Sequence, residues 1–317
     1  MAMIGTDVEF AARFLLDGKI VAIPTETVYG LAANALDEKA VLLIFEAKQR
    51  PFFDPLIIHV ASIESARKYA HLEDPRLIAL AEKFWPGPLT LLLPKKNIPD
   101  IVTSGLPSVA VRVPRHPLTL SLLNRVNVPL AAPSANPFGY VSPTEPAHVN
   151  RQLGKSVAYI LDGGPSQVGI ESTIVGIEDD QPCVYRLGGL AIEDIERVAG
   201  KVDQRINLSG DPSAPGQLKN HYAPRKPLFV GDIAEIAEKN KSLRYSVICF
   251  GPGNFPSALY VYQLSSTKND EEAALNLFRL LRLADEDGSD IVICGKLPDK
   301  GLGIAVNDRL RRASVRS

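Results

Sequence analysis

Asp37-Glu38-Lys39-Ala40-Val41-Leu42-Leu43-Ile44-Phe45-Glu46-Ala47-Lys48 runs through Gln49-Arg50-Pro51-Phe52-Phe53-Asp54-Pro55 into Leu56-Ile57-Ile58-His59-Val60. Across this stretch the spacing of apolar side chains changes character. Val41, Ile44 and Phe45 fall on one face of a helix from about Asp37 to Lys48. Pro51 has no amide to donate and forbids its continuation. Leu56 to Val60 is then an apolar run of strand length. A helix that gives way to a strand within one short loop is the building unit of an α/β fold.

The same alternation extends in both directions. Upstream, the pattern predicts a helix from Thr6 to Asp17, with Thr6 and Glu9 as a capping box and Gly18 as its stop, followed by a strand from Lys19 to Ile23. Downstream, helices are expected at Ile63 to Ala70, Pro75 to Phe84, Pro117 to Asn124 and Pro146 to Leu153. Strands are expected at Leu89 to Leu93, Val109 to Val113, Val128 to Ala132, Val157 to Leu161, Ser172 to Ile177 and Cys183 to Arg186. These elements predict one large α/β domain over residues 1–205, built on a twisted mixed β-sheet. Residues 206–226, with Ser209-Gly210-Asp211-Pro212-Ser213-Ala214-Pro215-Gly216, read as a linker. Residues 227–317 carry a strand at Leu243 to Phe250, a helix at Glu271 to Ala284, a strand at Asp290 to Cys294 and a helix from Val306 to Ala313. They form a small Rossmann-like α/β domain.

Composition bounds the function. A chain of 317 residues favours two domains, and 45% hydrophobic with 22% charged residues is ordinary for a globular protein. The formal net charge is -1, so there is no basic surplus of the kind that grips nucleic acid backbone, and direct RNA contact is expected to be weak or absent. Cys183, Cys249 and Cys294 match no metal-ligand spacing and fit a reducing compartment. With no leader pattern at Met1 to Gly5 and no run of roughly 18 apolar residues, a cytoplasmic protein without membrane partners is expected.

Four segments place polar side chains where strands or helices end, which is where α/β folds hold ligands. Pro24-Thr25-Glu26-Thr27-Val28-Tyr29-Gly30 is, taken alone, a capped turn between a strand and a helix. Lys48 and Arg50 suit a helix C-terminus in any protein, and His59 within Leu56 to Val60 suits a hydrogen-bonded core. Arg112 in Ser108-Val109-Ala110-Val111-Arg112-Val113-Pro114 is less easily dismissed. A guanidinium in an apolar strand must face solvent, pair with a carboxylate or await an anion. Ala131-Ala132-Pro133-Ser134-Ala135-Asn136-Pro137, with Ser142-Pro143-Thr144 after it, offers hydroxyl and amide donors that also make ordinary turns.

In combination and in this order, these segments and Trp85-Pro86-Gly87-Pro88-Leu89-Thr90 closely resemble the threonylcarbamoyl-AMP synthase (YrdC-like) family, from about Ile20 to Arg186. Ala214-Pro215-Gly216-Gln217-Leu218-Lys219-Asn220-His221-Tyr222-Ala223-Pro224 resembles the linker of its long, two-domain members. Asp290 to Ala313, with Asn307-Asp308-Arg309-Leu310, resembles their C-terminal domain. The chain departs from the family pattern at Asp54, where Asn is usual, and at Gln49, where Gly is usual.

The resemblance implies a nucleotidyltransferase that joins L-threonine, bicarbonate and ATP into an adenylate, which a tRNA threonylcarbamoyl transferase consumes. It implies Thr27, His59, Arg112, Ala132 and Ser172 on the threonine side, with Arg112 taking the carboxylate. It implies Lys48 and Arg50 as catalytic cations against the phosphates, and Asp54, Ser108, Ser134, Asn136, Ser142, Arg186 and Tyr222 on the ATP side, Tyr222 as part of a linker folded over the nucleotide. Mg2+ is expected with the triphosphate, held by phosphate oxygens and water and by no protein ligand. Asp54 would reach a magnesium-bound water or turn away. A related carbamoyl-transfer family of hydrogenase maturation carries cysteine-rich zinc modules, which three scattered cysteines do not supply. The alternative from another class is a non-catalytic RNA-binding or ribosome-assembly module, for which Arg309, Arg311, Arg312 and Arg316 would be the basic patch.

Overall fold

The computed structural model describes residues 1–206, 214–218 and 221–314. The N-terminal part runs β1 (Met3–Gly5), α1 (Val8–Leu16), β2 (Val21–Ile23), β3 (Gly30–Asn34), α2 (Glu38–Lys48), β4 (Ile57–His59), α3 (Ile63–Ala66), α4 (Pro75–Phe84) and β5 (Leu89–Pro94). It continues α5 (Asp100–Thr103), β6 (Ser108–Arg112), α6 (Pro117–Val126), β7 (Leu130–Ala131), α7 (Pro146–Leu153), β8 (Tyr159–Leu161), β9 (Thr173–Glu178), β10 (Gln181–Arg186), α8 (Ile192–Ala199) and β11 (Asp203–Gln204). The C-terminal part runs β12 (Leu228–Val230), α9 (Ile233–Lys239), β13 (Tyr245–Phe250), β14 (Tyr260–Ser265), α10 (Asp270–Glu286), β15 (Ile291–Cys294) and α11 (Leu302–Ala313).

Among the described residues, the first part forms one mixed 11-stranded sheet in the order β1-β8-β2-β3-β7-β4-β6-β5-β9-β10-β11. The second forms a 4-stranded sheet, β12-β15-β13-β14, in which every pairing is parallel. The large mixed sheet and the small α/β unit match the expected fold class. Alternate residues of β2 and β3 face opposite ways: Ala22 and Leu31 join one apolar cluster, Val21, Ile23 and Ala32 the other. The first cluster packs under α2, α4 and α8, and the second under α1 and α6. The first also passes through Tyr222 to Leu277, Phe278, Val306 and Leu310, so the two sheets share a continuous core.

Several local expectations are corrected. Asp7, not Thr6, caps α1, accepting from the Phe10 amide at 3.0 Å, while Glu9 reaches across to Arg125 at 2.7 Å. Asp7 wins because its carboxylate reaches the exposed amide and suits the positive end of the helix dipole. Gly30–Asn34, assigned to no element by the apolar pattern, is β3: its small residues have little strand propensity, but pairing with β2 and β7 decides. The runs read as Val128 to Ala132 and Val157 to Leu161 shorten to β7 and β8, and the helix expected to Ala70 ends at Ala66. Of the Ser209 to Gly216 linker, residues 209–213 lie outside the described residues. Among the described residues no helix is long and apolar enough to cross a membrane.

Candidate active site

Parallel strands bring their carboxyl ends to the same edge of a sheet, and β4 and β6 pair in parallel with His59 opposite Arg112. Both residues end their strands and both are buried. The turn after β2 closes over them. Thr25 Oγ1 accepts from the Thr27 and Val28 amides at 3.2 Å each and donates to the Val28 carbonyl at 2.6 Å, so it caps a turn between two strands and not a helix. That turn points Glu26 and Thr27 at Arg112. The guanidinium meets the Glu26 carboxylate at 2.8 Å, donates to Thr27 Oγ1 at 2.9 Å and donates to the Gly87 carbonyl at 3.2 Å. Of the three fates open to Arg112, pairing with a carboxylate is the one found.

The C-terminus of α2 supplies the second wall. Gln49 takes a left-handed conformation (φ 53°), which turns the chain before Pro51. Lys48 is buried and donates to the Ser134 and Asn136 carbonyls, both at 2.5 Å. Burial, reinforced by the neighbouring Arg50 charge, pushes the Lys48 ammonium well below its ordinary pKa. Arg50 donates to the Asp54 and Pro55 carbonyls at 3.0 and 2.8 Å and pairs with the Asp54 carboxylate at 2.8 Å. One Asp54 oxygen is thus held by the Arg50 guanidinium, while Oδ1 is buried without a hydrogen-bond partner.

The third wall joins β9 and β10. Arg186 donates to the Ser172 carbonyl (3.1 and 3.0 Å) and hydroxyl (3.0 Å), and to the Pro215 carbonyl at 3.4 Å. Ser172 Oγ shares a 2.7 Å hydrogen bond with Thr90. Next to it Glu171 accepts from Ser142 Oγ at 2.5 Å. Pro215, Gly216, His221 and Tyr222 complete the lining. Gln217 ties them down through the Tyr185 and Arg205 carbonyls at 3.2 Å, and Tyr222 is buried with its ring stacked on Phe278 at 5.4 Å.

Thr27, Arg50, His59, Arg112, Ala132, Ser134, Ser172, Arg186 and Tyr222 line this one cavity. Lys48, Asp54, Asn136 and Ser142 are buried in its walls, each bonded to a lining residue or its neighbour. Ser108 is not brought in. It begins β6 while Arg112 ends it, so an extended strand of roughly 13 Å separates them. The free room is about 50 Å³, enough for a few waters. A wider open groove of about 1290 Å³ near Met1, Ile4 and Arg151 holds none of the candidate residues.

Burial, and then the Arg112 charge, lowers the His59 pKa to about 3, so the ring is neutral near pH 7 and can position but not carry charge. Among the described residues no group of three or more His, Cys, Asp or Glu side chains converges as a metal cage. The reading from sequence missed Glu26, Glu171 and His221, which also stand at the cavity. Glu26 and Glu171 were discoverable by asking which carboxylates neutralise the buried arginines. The supposed basic patch dissolves: Arg309 and Arg312 are buried, Arg311 pairs with Asp308 at 2.7 Å, and Arg316 lies outside the described residues.

Residues 13–188 match a family model described as telomere recombination (Sua5, YciO and YrdC), and residues 190–315 match one described as threonylcarbamoyl-AMP synthase, C-terminal domain. The chain is 43% identical to the threonylcarbamoyl-AMP synthase of Pyrococcus abyssi, covering 97% of this chain and 94% of that protein. It is 39% identical to that of Bacillus subtilis, covering 96% and 92%. The crystal structure of P. abyssi Sua5 complexed with L-threonine superposes with a TM-score of 0.92 at 40% identity, over 99% of this chain and 97% of that one.

Proposed function

The chain belongs to the threonylcarbamoyl-AMP synthase family, and from that premise we propose that it converts L-threonine, bicarbonate and ATP into L-threonylcarbamoyladenylate and pyrophosphate. The threonine amine adds to carbon dioxide drawn from bicarbonate, losing a proton to form a carbamate. A carbamate oxygen then attacks the α-phosphorus of ATP, and the bond to the β-phosphate oxygen breaks to release pyrophosphate. Such a displacement asks the protein for positioning and charge stabilisation rather than a covalent intermediate.

Arg112 supports the threonine side. It donates through Nε to Gly87 and through Nη1 to Thr27, while Nη2 meets Glu26 as an ion pair without a hydrogen bond, so N–H groups on both terminal nitrogens remain for a substrate carboxylate. Thr27, Ser172 and the neutral His59 border the same space. Arg50 and Lys48 supply positive charge for the leaving pyrophosphate, and Lys48 also fixes the Ser134 to Asn136 turn on the nucleotide side. Ser142, Arg186 and Tyr222 complete that side. Mg2+ would enter with the triphosphate, its ligands phosphate oxygens and water.

The adenylate is a mixed anhydride, reactive toward an amine, and the reading assigns its consumption to a tRNA threonylcarbamoyl transferase that modifies adenosine. The observation that carries the proposal is the convergence of Thr27, Arg50, Arg112, Ser134, Ser172 and Arg186 on one cavity. The test is incubation with threonine, bicarbonate and magnesium-ATP, with detection of pyrophosphate and of the adenylate by mass spectrometry. Pyrophosphate release that ignored threonine and bicarbonate would end the proposal.

A further inference from the structure

The C-terminal part contributes no side chain to the cavity lining, yet it drives two arginines toward it. Arg309 and Arg312 lie one turn apart on α11 and both are buried. Two buried guanidiniums need partners, and most of theirs are found here, although Arg312 Nε is left without a hydrogen bond. Arg309 donates to the Glu171 carboxylate through Nε and Nη2, both at 3.3 Å, and stands 3.5 Å from Asp308. Arg312 donates to the Gly216 and Leu218 carbonyls at 2.7 and 2.6 Å. The two guanidinium carbons stand 5.3 and 5.2 Å from the centre of the Tyr222 ring, which also stacks on Phe278 of α10. Tyr222 itself holds a left-handed backbone (φ 67°), a conformation that persists in a non-glycine residue when its surroundings fix it.

Glu171, Gly216 and Tyr222 all line the cavity, so each arginine meets at least two pieces of its wall. Arg309 has a second effect. Glu171 is a carboxylate facing the side assigned to the nucleotide, where it also accepts from Ser142. Unpaired, it would repel a triphosphate.

We propose that Arg309 and Arg312 are positioning residues for the nucleotide: Arg309 neutralises Glu171, and Arg312 holds Gly216, Leu218 and Tyr222 at the wall of the site. This rests on the adenylate-forming reading above. On the threonine side Thr27, His59 and Arg112 have no bond to either arginine, and Ser172 is linked to Arg309 only through its neighbour Glu171, so the two substrates respond differently.

The test combines equilibrium binding of a non-hydrolysable ATP analogue, KM values for both substrates and hydrogen–deuterium exchange of peptides spanning 214–226. Arg309→Ala is expected to weaken analogue binding and raise the ATP KM by roughly tenfold, the threonine KM moving less than about twofold. Adding Glu171→Gln to Arg309→Ala should restore most of that affinity, because the repelling charge is gone. Arg312→Ala should speed exchange in 214–226 while leaving β13 and β15 unchanged. Should either alanine variant fail to fold, Arg309→Lys and Arg312→Gln are read the same way, with smaller effects expected. The proposal is overturned if both KM values rise together, if Glu171→Gln recovers nothing, or if exchange in 214–226 is unaltered. A wild-type protein that bound no nucleotide would refute the adenylate-forming reading, while the exchange measurement would still decide the clamp.

Discussion

Arg112 and Glu26 meet at 2.8 Å in the wall of the cavity, both buried and belonging to segments 86 residues apart in the chain. The pair resolves a conflict that any amino-acid site faces. A cation strong enough to hold a substrate carboxylate is too costly to bury alone, so the fold provides a resident carboxylate on one edge of the guanidinium. Glu26 is itself fixed by the Arg115 amide at 3.0 Å, so the fork cannot swing.

Arg112→Ala should therefore do two things. It leaves Glu26 as an unpaired buried anion, at about 3–5 kcal/mol of stability read from denaturant unfolding. It should also raise the threonine KM by roughly a hundredfold with a much smaller change for ATP, as loss of a charge-assisted fork predicts. Glu26→Gln keeps the shape and removes the charge, so it should lose less stability than Arg112→Ala. Threonine dependence that survived Arg112→Ala in folded protein would show that the carboxylate sits elsewhere.

Lys48 makes a different prediction, because its ammonium is committed to backbone. Lys48→Met should orphan the Ser134 and Asn136 carbonyls, costing about 1–3 kcal/mol. Its main effect should be on turnover. Removing one preorganised charge from the leaving-group side is expected to lower the single-turnover rate of pyrophosphate release by roughly 10²-fold or more. A rate within threefold of wild type would reduce Lys48 to a structural tie.

Much of this was legible beforehand, for identifiable reasons. Strands such as β6 and β9 announce themselves because both faces are buried, and a polar residue at their ends, Arg112 or Ser172, then stands out against the apolar run. What could not be read were the pairings. Nothing local joins Glu26 to Arg112, or Glu171 to Arg309 across 138 positions, since both are set by the sheet order and the docking of α11. Ser108 misled because it shares a strand with Arg112, and four residues of extended chain carry it to the far end. Short, small-residue β3 was invisible because pairing, not propensity, makes it a strand.

The buried histidines give the protein an acid limb. His59 titrates near 3 in the folded chain and near its ordinary 6.5 when unfolded, and burial among cations lowers His221 in the same direction. Between those values the unfolded chain binds more protons, so stability is full above pH 6.5 and falls as pH drops toward 3. His59 alone should remove roughly 2 kcal/mol between pH 7 and pH 5. Urea unfolding at the two pH values measures this. In His59→Asn the loss should shrink by about that amount, and an unchanged difference would mean that His59 is already hydrated or charged in the native protein.

Gly188 ties the sheet to the site most tightly. A methyl group there would stand 2.3 Å from the Ser172 carbonyl carbon and 2.4 and 2.5 Å from the Glu171 and Ser172 carbonyl oxygens. These are backbone atoms, so no rotamer relieves the clash and the Glu171–Ser172 segment must move. That segment anchors Arg186 through Ser172 and receives Ser142 and Arg309 at Glu171, so the displacement reaches three side chains at once. Gly188→Ala should cost about 1–3 kcal/mol and lower kcat/KM for ATP by roughly tenfold or more. Gly105→Ala is the matched control. Its φ of 78° strains any side chain, but a methyl there meets nothing within 4 Å. It should lose about 1–2 kcal/mol and keep full activity. Equal activity losses in the two variants would mean that general destabilisation, not the register of Glu171 and Ser172, sets the rate.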